Sequence, residues 1–348
     1  MTFQIKKLAF ILLLPLLFVV GCSGDKPASQ PTDLLVHYLD VGQADSILVQ
    51  LSNGQNMLID AGNNDDGQLV TGYLKEQGVK KIDYLVGTHP HEDHIGGLDT
   101  VINQFEIGNV YLPKVTHTTK TYQDVLVALK DKGLKVIAAK AGVEILNEDE
   151  LQAIIISPIN DHYQELNDYS AVIKLNYQHT SFLFTGDAEE LAENEILTSG
   201  IDVKATVLKV GHHGSVSSTS DKFLAAVNPK LAIISVGTNN DYGHPHQQTL
   251  ERLNKAGISV LRTDQQGTII IKSDGKQVSS NVTPVKQPTT AALPAATEGS
   301  YLGSVNSDKY HTPDCPHVDS IADKNIIWFK DMAAAKAAGY QPCSNIKQ

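Results

Sequence analysis

The stretch His89-Pro90-His91-Glu92-Asp93-His94 is the densest group of metal-binding side chains in the sequence. It follows directly on the apolar segment Ile82–Thr88, which predicts a strand. A strand end presents side chains with little backbone freedom, and a helix that begins near Asp93 turns the last of them towards a second position. Imidazole nitrogens and a carboxylate, without thiolate, suit Zn²⁺ or Mn²⁺. We therefore predict four metal ligands here: His89, His91, Asp93 and His94.

Outward from this cluster, pairs of strands are mixed with single helices, which predicts an α/β protein with two sheets and helices outside them. The predicted strands are Leu34–Asp40, Asp45–Leu51, Met57–Asp60, Ile82–Thr88, Ile154–Ser157, Ala171–Tyr177, Ser181–Phe184, Val207–Val210, Leu231–Val236 and Thr268–Lys272. The predicted helices are Leu69–Gln77, one from Asp93 into Val101, Tyr122–Lys132, Ala188–Leu197, Asp221–Val227 and His246–Lys255. No repeat of solenoid period is visible.

The pattern His-x-His-x-Asp-His resembles the signature of the metallo-β-lactamase-fold superfamily, and the resemblance extends over residues 34–282. Within that superfamily the sequence is most similar to the hydrolase domain of ComEC-type bacterial competence proteins. The motifs that carry this likeness, in chain order, are Leu39–Asp45, Leu58–Gly62, Asn167–Ser170, Phe184–Asp187 and Leu208–Ser215. The resemblance implies a four-layer αββα sandwich that holds two divalent metal ions, Zn or Mn, in a hydrolase.

Two of these motifs place chemistry directly after a predicted strand. Asp187 follows strand Ser181–Phe184, and Gly186 allows a sharp turn before it. The resemblance implies that this carboxylate bridges two cations. His212 and His213 follow strand Val207–Val210 in a loop flanked by glycines. Either could supply a metal ligand, a proton for the leaving group or a hydrogen bond to a phosphoryl oxygen. We predict catalytic roles for Asp93, His212 and His213.

Four further polar residues complete the predicted site. His244, by its order in the chain, resembles the last metal ligand of the superfamily. The resemblance also makes Asp60 a residue that orients a ligand instead of binding metal itself. Asp40 could act similarly or could satisfy backbone amides in its turn, and we expect Asp45 to be structural.

The sequence departs from the superfamily at one ligand. True β-lactamases supply another histidine between the first cluster and the bridging aspartate. Here His162 and His179 lie in that region, but neither follows a strand end, and Asn167–Ser170 stands in its place. One metal position would then have fewer protein ligands and more water, which argues against β-lactam hydrolysis.

The first 22 residues predict a signal peptide. Lys6 and Lys7 precede an apolar run, 8–20, that is too short to span a bilayer core of ~30 Å. Small residues directly before Cys22 resemble the bacterial lipobox, in which the cysteine is lipidated and becomes the mature N-terminus. Residues 23–33 predict a flexible tether. We therefore expect an extracytoplasmic, lipid-anchored protein. The alternative is an ordinary secretory signal, in which Cys22 is incidental.

Residues 283–300 contain prolines, threonines and alanines, which predicts a linker between domains. Residues 301–348 resemble the small zinc-binding module of the Ada repair protein, on the ligand pattern His311, Cys315 and Cys343. Ile346 stands at the spacing of the fourth ligand and cannot bind metal, unless His317 or a water completes the set. Outside the cytoplasm two such thiols more often oxidise. We expect a Cys315–Cys343 disulfide, with bound zinc as the alternative.

Composition limits the function further. The chain has 348 residues, 41% of them hydrophobic and 19% charged, which excludes a mainly disordered or collagen-like protein. Its formal net charge of −11 disfavours extended DNA binding away from the metals.

We predict a hydrolase of phosphodiesters, acting on DNA as a ComEC-like nuclease or on a cell-surface phosphodiester. The alternatives are a β-lactam or acyl hydrolase on the same fold and an inactive surface binding protein. Oligomeric state cannot be read from the sequence.

Overall fold

The structure is a computed structural model of the chain. It describes Met1 and the residues 33–284, 300–304, 307, 309–313, 315, 318, 321 and 326–343. The predicted signal peptide with Cys22, nearly all of the tether, most of the linker and His317 lie outside these residues. Among the described residues, no helix is both long enough and apolar enough to cross a membrane.

Two large sheets form the main domain. The first has eight strands in the order β15-β14-β1-β2-β3-β4-β5-β6, and the second has seven in the order β13-β12-β11-β10-β9-β8-β7. The strands of the first sheet are β1 (Leu34–Tyr38), β2 (Ile47–Gln50), β3 (Asn56–Ile59), β4 (Lys81–Val86), β5 (Glu106–Pro113), β6 (Val136–Ala139), β14 (Ile269–Ser273) and β15 (Val278–Ser280). Those of the second are β7 (Glu144–Glu148), β8 (Leu151–Ser157), β9 (Val172–Tyr177), β10 (Thr180–Phe184), β11 (Val207–Lys209), β12 (Leu231–Ile234) and β13 (Ser259–Arg262).

Helices cover the outer face of each sheet. The helices of the main domain are α1 (Gly67–Glu76), α2 (Glu92–Ile95), α3 (Leu98–Gln104), α4 (Lys120–Asp131), α5 (Glu190–Ser199), α6 (Asp221–Val227), α7 (Gln247–Lys255) and α8 (Thr263–Gln266). Apolar residues of α1, α3 and α4 pack on the first sheet, and those of α5, α6 and α7 pack on the second.

Alternation along the strands divides the core into three layers of side chains. In β10, Phe182 and Phe184 lie between the two sheets, whereas Leu183 packs under the helices of the second sheet. In β3, Met57 lies between the sheets and Leu58 packs under the helices of the first. The order of layers is therefore helix, sheet, sheet, helix. This confirms the predicted four-layer αββα sandwich.

The parallel strands determine where functional side chains meet. Strands β3 and β4 run parallel in the first sheet, and β10, β11 and β12 run parallel in the second. The carboxyl ends of parallel neighbours lie at one edge of a sheet. The loops that follow these five strands therefore open towards the same end of the sandwich.

The sequence pattern did not predict β5, β6, β7, β13 or β15. Strand β6 lies at the edge of its sheet with Val136 and Ile137 exposed, so it lacks the alternation on which the prediction depended. The helix predicted from Asp93 into Val101 is two helices, α2 and α3, separated by two glycines. A Cβ on Gly97 would lie 2.4 Å from the carbonyl oxygen of Ala61, so this close approach requires glycine.

The C-terminal segment forms a small α+β module, as predicted. Four strands pair in the order β18-β16-β17-β19. They are β16 (Tyr301–Ser304), β17 (Lys309–His311), β18 (Ile326–Phe329) and β19 (Gln341–Pro342), with helix α9 (Met332–Ala337) beside them. Tyr310, Phe329, Ala335 and Tyr340 form its core. The Tyr340 hydroxyl accepts a hydrogen bond of 2.7 Å from the Gln248 side chain in α7, so the module contacts the main domain.

Candidate metal centre

Asp60 anchors the centre from behind. It follows β3 at a positive φ of 59°, and Oδ1 accepts a 2.7 Å hydrogen bond from the backbone N–H of Thr88. Oδ2 accepts from the Thr88 hydroxyl at 2.7 Å and lies 2.8 Å from Nδ1 of His94. A carboxylate on Nδ1 fixes the orientation of the ring and leaves Nε2 directed into the pocket. This is the geometry that the predicted orienting role requires.

Asp187 lies at the meeting point of the two sheets. Its Oδ2 is 3.2 Å from Nε2 of His94 and 4.0 Å from Nε2 of His89, both from the first sheet. The same oxygen is 3.6 Å from Nε2 of His213 and 3.7 Å from Nε2 of His212, from the second sheet. One carboxylate oxygen therefore faces four imidazole nitrogens from distant parts of the chain.

The pocket divides into two groups of donor atoms on either side of Asp187. On one side, Nε2 of His89 and Nδ1 of His91 are 3.0 Å apart. On the other, Oδ2 of Asp93 is 3.2 Å from Nε2 of His213 and 3.7 Å from Nε2 of His94. Two groups that share one carboxylate can hold two cations with Asp187 between them.

Unsatisfied polar atoms indicate that the pocket could hold a cation. Among the described residues, the buried Nε2 of His94 and Oδ1 of Asp187 have no hydrogen-bond partner. Buried polar atoms are nearly always paired, so orphaned donors at one point indicate a ligand that the protein atoms do not supply. Asp93, His94, Asp187 and His213 place one ligand atom each within 4.8 Å of one another. The residues present therefore fit a divalent metal.

The pKa values within the pocket are strongly shifted in opposite directions. Burial lowers the pKa of His89 well below its usual value, so this ring is neutral and free to bind metal. Burial also acts against a charge on His94, but the carboxylates of Asp187 and Asp93 outweigh it and raise the pKa of His94 well above its usual value. Without metal, His94 therefore holds a proton that a bound cation would displace.

His212 and His213 have different surroundings although they are adjacent. Both adopt positive φ, 48° and 51°, so the chain directs two consecutive rings to one side. His213 is buried, and its Nδ1 is 3.0 Å from the carbonyl oxygen of Ser235. His212 is 24% exposed, and its Nδ1 lies 3.2 Å from Oε1 of Glu189. His213 thus joins the metal-binding group, while His212 lies at the solvent side with a carboxylate behind it.

His244 lies outside the group of four ligands. Its ring centre is 6.3 Å from that of His213 and 5.4 Å from that of His212, and Nδ1 is 3.4 Å from Nε2 of Gln43. Burial lowers the pKa of His244 to about 2, so the ring is neutral. Its role as a ligand stays a prediction, since the described donor atoms cluster around His213.

Asp40 and Asp45 make contacts within the protein, and the roles considered for them stay predictions. Asp40 is exposed, and its Oδ1 accepts a 3.3 Å hydrogen bond from the backbone N–H of Gly42 within the turn. Asp45 is buried and pairs with Nζ of Lys209 at 2.5 Å. Lys209 is itself fully buried beneath Asp187, with 4.0 Å between Nζ and Oδ1.

Ser170 stands where a further histidine ligand would lie. Its hydroxyl is 3.4 Å from Nδ1 of His89 and accepts a 3.1 Å hydrogen bond from the backbone N–H of Asp187. His162 and His179 are exposed. Neither of these two histidines therefore contributes an imidazole to the pocket.

Comparison with known proteins agrees with this pocket. The family model described as "Metallo-beta-lactamase superfamily" matches residues 39–238. The chain belongs to this superfamily. The prediction of its family and fold is thereby confirmed. As a member of the metallo-β-lactamase superfamily, it carries its donor atoms on the loops that follow the inner strands of both sheets.

Two curated relatives cover the same part of the chain. The protein is 34% identical over 251 residues to "ComE operon protein 3" of Bacillus subtilis, which is 67% of this chain and 32% of the relative. It is 32% identical over 249 residues to "Recombination protein 2" of Haemophilus influenzae, which is 70% of this chain and 29% of the relative. The chain thus spans about a third of the length of these relatives, and the predicted likeness to ComEC-type proteins is confirmed.

Solved structures are more distant. The β-hydroxylase CmlA from Streptomyces venezuelae aligns with a TM-score of 0.44 at 13% identity, over 67% of this chain and 53% of that one. The similarity is too low to carry an argument about function. The activity of this metallo-β-lactamase superfamily member must be inferred from its own pocket.

The pocket opens as a cavity of about 280 Å³ on the solvent side of Asp187. Four residues that the sequence did not indicate as functional contribute to this region: Gln43, Glu189, Lys209 and Tyr242. Of these, Glu189 could have been suspected because it lies two residues after Asp187 in the same loop. Gln43 and Lys209 lie within motifs that carry the family likeness, which assigned them no role, and Tyr242 lies two residues before His244.

A second group of donors lies in the C-terminal module. Nδ1 of His311 is 3.3 Å from Sγ of Cys315, and the sulfurs of Cys315 and Cys343 are 3.7 Å apart. A disulfide measures about 2.05 Å, whereas two sulfurs each about 2.3 Å from one tetrahedral zinc lie about 3.8 Å apart. The structure thus has the spacing of a zinc site. The disulfide stays a prediction.

Proposed function

We propose that this protein hydrolyses phosphodiesters outside the cytoplasm, with two divalent cations, Zn or Mn, as cofactors. The observation that carries the proposal is Oδ2 of Asp187, which faces Nε2 of His89, His94, His212 and His213 at 3.2–4.0 Å. A shared carboxylate of this kind suits a pair of cations, which would lower the pKa of a water and neutralise charge on phosphoryl oxygens.

Each group of donors would hold one cation. His89 and His91 with Asp187 would hold the first, and its remaining positions would be open because Ser170 replaces an imidazole. Asp93, His94 and His213 with Asp187 would hold the second. Asp60 keeps the His94 ring in place through the 2.8 Å contact with Nδ1. Asp93 is one-third exposed, so the second group faces the cavity through which the substrate would enter.

We propose that His212 donates the proton to the leaving group. Its Nδ1 lies 3.2 Å from Oε1 of Glu189, which itself accepts 3.1 Å hydrogen bonds from Asn167 and Ser217. Burial tends to raise the pKa of Glu189, but the hydrogen bond with His212 lowers it below its usual value. The ionised carboxylate holds Nδ1 of the imidazole and so orients the ring with Nε2 towards Asp187.

A phosphodiester fits this pocket better than a lactam. The open positions at the first group leave space for phosphoryl oxygens, and the imidazole that true β-lactamases supply there is missing. One of the relatives is named for recombination, which supports a nucleic acid as the first substrate to test. A cell-surface phosphodiester is the second.

A substrate panel with matched variants tests the proposal. We expect the wild type, loaded with Zn²⁺ or Mn²⁺, to hydrolyse bis-p-nitrophenyl phosphate or DNA and to leave nitrocefin intact. Asp187→Ala removes the shared carboxylate, so its activity should fall about 10³-fold or more. Asp161→Ala changes an exposed aspartate and serves as the control. Nitrocefin turnover without phosphodiester turnover would overturn the proposal. Two bound metal ions per chain by mass spectrometry, beyond any zinc held by Cys315 and Cys343, would support it.

We propose that a lipid on Cys22 holds the mature protein at the outer face of the cytoplasmic membrane or, where one exists, at the outer membrane. The likeness of residues 1–22 to a lipoprotein signal supports this location. Radioactive palmitate should label the wild type and leave Cys22→Ala unlabelled. Equal labelling of both would contradict the assignment.

A further inference from the structure

Three aromatic rings lead from the metal-binding group to solvent. The ring of His213 is nearly parallel to that of His244, at 23° and a centre distance of 6.3 Å. The ring of His244 is in turn nearly parallel to that of Tyr242, at 22° and 5.6 Å. His213 is buried, whereas Tyr242 is 61% exposed. The series therefore begins beside Asp93 and ends in a ring whose outer part is open to solvent at the cavity rim.

Tyr242 is unusual among exposed side chains of the described residues. The other large apolar residues with high exposure are aliphatic side chains or methionines, and only Tyr242 is aromatic. A single exposed apolar residue needs no functional explanation. An exposed ring that is aligned with two imidazoles and lines the metal-binding cavity is a more specific arrangement, because it offers a flat surface at a fixed position.

The loop that carries Tyr242 is well fixed. Oδ1 of Asn240 accepts a 3.0 Å hydrogen bond from the backbone N–H of His244, and its Nδ2 donates to the carbonyl oxygens of Gly237 and His244 at 2.9 and 2.7 Å. A Cβ on Gly243 would lie 2.7 Å from the carbonyl oxygen of Gly339, so the C-terminal module supports the loop from its other side. The ring position thus needs little ordering when a ligand binds.

The charge of the cavity excludes one common way of holding nucleic acid. Among the described residues that line the cavity, none is Lys or Arg, and three carry a carboxylate: Glu92, Asp93 and Asp187. The backbone of a nucleic acid would find no Lys or Arg side chain there, so only the metals would attract its phosphates. Affinity for a nucleotide must then come from the one phosphate at the metals and from contacts to its uncharged part. A base–aromatic stack supplies such a contact without any positive charge.

We propose that Tyr242 is a stacking platform for a nucleobase that is attached next to the scissile phosphate. The substrate class is therefore a phosphodiester that carries a planar aromatic base, held by its phosphate in the pocket and by its base on Tyr242. This inference rests on the proposed phosphodiesterase function, and it narrows the two candidate substrates in favour of nucleotides.

Binding and hydrolysis together test the platform on the full, metal-loaded chain. Calorimetry compares thymidine 5′-monophosphate with 2-deoxyribose 5-phosphate, which lacks the base. Hydrolysis compares p-nitrophenyl thymidine 5′-phosphate with p-nitrophenyl phosphorylcholine, which share a leaving group. We expect the wild type to prefer the base-containing partner of each pair. This preference, as the ratio of Kd or KM values, should fall about tenfold in Tyr242→Ala and persist in Tyr242→Phe.

The control Leu191→Ala changes an exposed side chain that does not line this cavity, so the preference should not change. A wild type without preference for the base, or a Tyr242→Ala variant that keeps it, would overturn the platform. Turnover of both p-nitrophenyl substrates with no base preference would leave the proposed function standing and would overturn only the stacking role of Tyr242. Base preference in binding without turnover of either substrate would support the stacking role of Tyr242 and would contradict the proposed phosphodiesterase reaction.

Discussion

Among the described residues, the candidate metal-binding side chains around Asp187 differ in chemistry and in access from those in the C-terminal module. The pocket around Asp187 uses imidazole and carboxylate donors, and its side chains at Asp93 and His212 are 33% and 24% exposed. The group in the C-terminal module uses one imidazole and two sulfurs, and each of its residues is at most 6% exposed. The first is open to solvent and the second is closed.

This difference separates a site built for reaction from one built for stability. A catalytic metal needs an open position for water and substrate, whereas a structural metal is enclosed by protein ligands. The open pocket is assembled from loops of two large sheets, whose apolar clusters are made by other residues. The closed group lies in a small module with a core of few residues, and a module of this size is normally stabilised by a cross-link, a metal or docking to a neighbour, here through the Gln248–Tyr340 hydrogen bond. Removing one ligand from each should therefore have different consequences.

The largest expected effect is on the open pocket. His213→Ala removes the imidazole that lies 3.2 Å from Asp93 and 3.6 Å from Asp187. We expect hydrolysis to fall about 10³-fold and one metal ion per chain to be lost, because the second group of donors is left with fewer ligands. His179→Ala, at an exposed histidine, is the control. Calorimetric unfolding should change little, and a large loss of stability with activity retained would contradict this account.

A substitution in the closed group should lower the stability of the C-terminal module. Cys343→Ser removes a sulfur that lies 3.7 Å from that of Cys315. We expect the C-terminal module to lose about 3 kcal/mol or more of stability, whether a disulfide or a metal is lost. Limited proteolysis after residue 300 measures this loss, and the metal content of the large domain should stay the same. Thiol alkylation before and after reduction distinguishes the disulfide from the metal. Cysteines that are alkylated only after reduction would show the disulfide, whereas one zinc ion per module would overturn it.

The smallest effect is expected behind the open pocket. Asp60→Asn keeps the size of the side chain but removes the negative charge that lies 2.8 Å from Nδ1 of His94. We expect metal affinity to fall about 10–100-fold, because the ring is held less firmly and its nitrogen becomes a weaker donor. Asp40→Asn, in the exposed turn, is the matched control. Equal metal affinity in Asp60→Asn and the wild type would show that Asp60 only supports the backbone of Thr88.

Much of the open pocket was visible in the sequence because several of its donors lie close together. His89 to His94 are six consecutive residues after one strand, and Asp187 follows another apolar strand by three residues. By contrast, the choice between His213 and His244 could not be made from the sequence. Both follow strands of the second sheet, and only the positive φ of the 212–213 turn brings His213 beside Asp93. The edge strand β6 was missed for a related reason, since its exposed face gives no alternation.

The sequence by itself determined two sheets with outer helices and the kind of donor atoms, because apolar strands and a local histidine cluster are properties of neighbouring residues. The superfamily and its four layers followed from the resemblance of its motifs. Only the tertiary structure decided which atoms meet. Lys209 beneath Asp187 and Glu189 behind His212 acquire their roles from partners distant in the chain, and Tyr242 lines a cavity with distant residues such as Gln43 and Asp93. Contacts of that kind depend on how two sheets pack, and packing is a property of the whole folded chain.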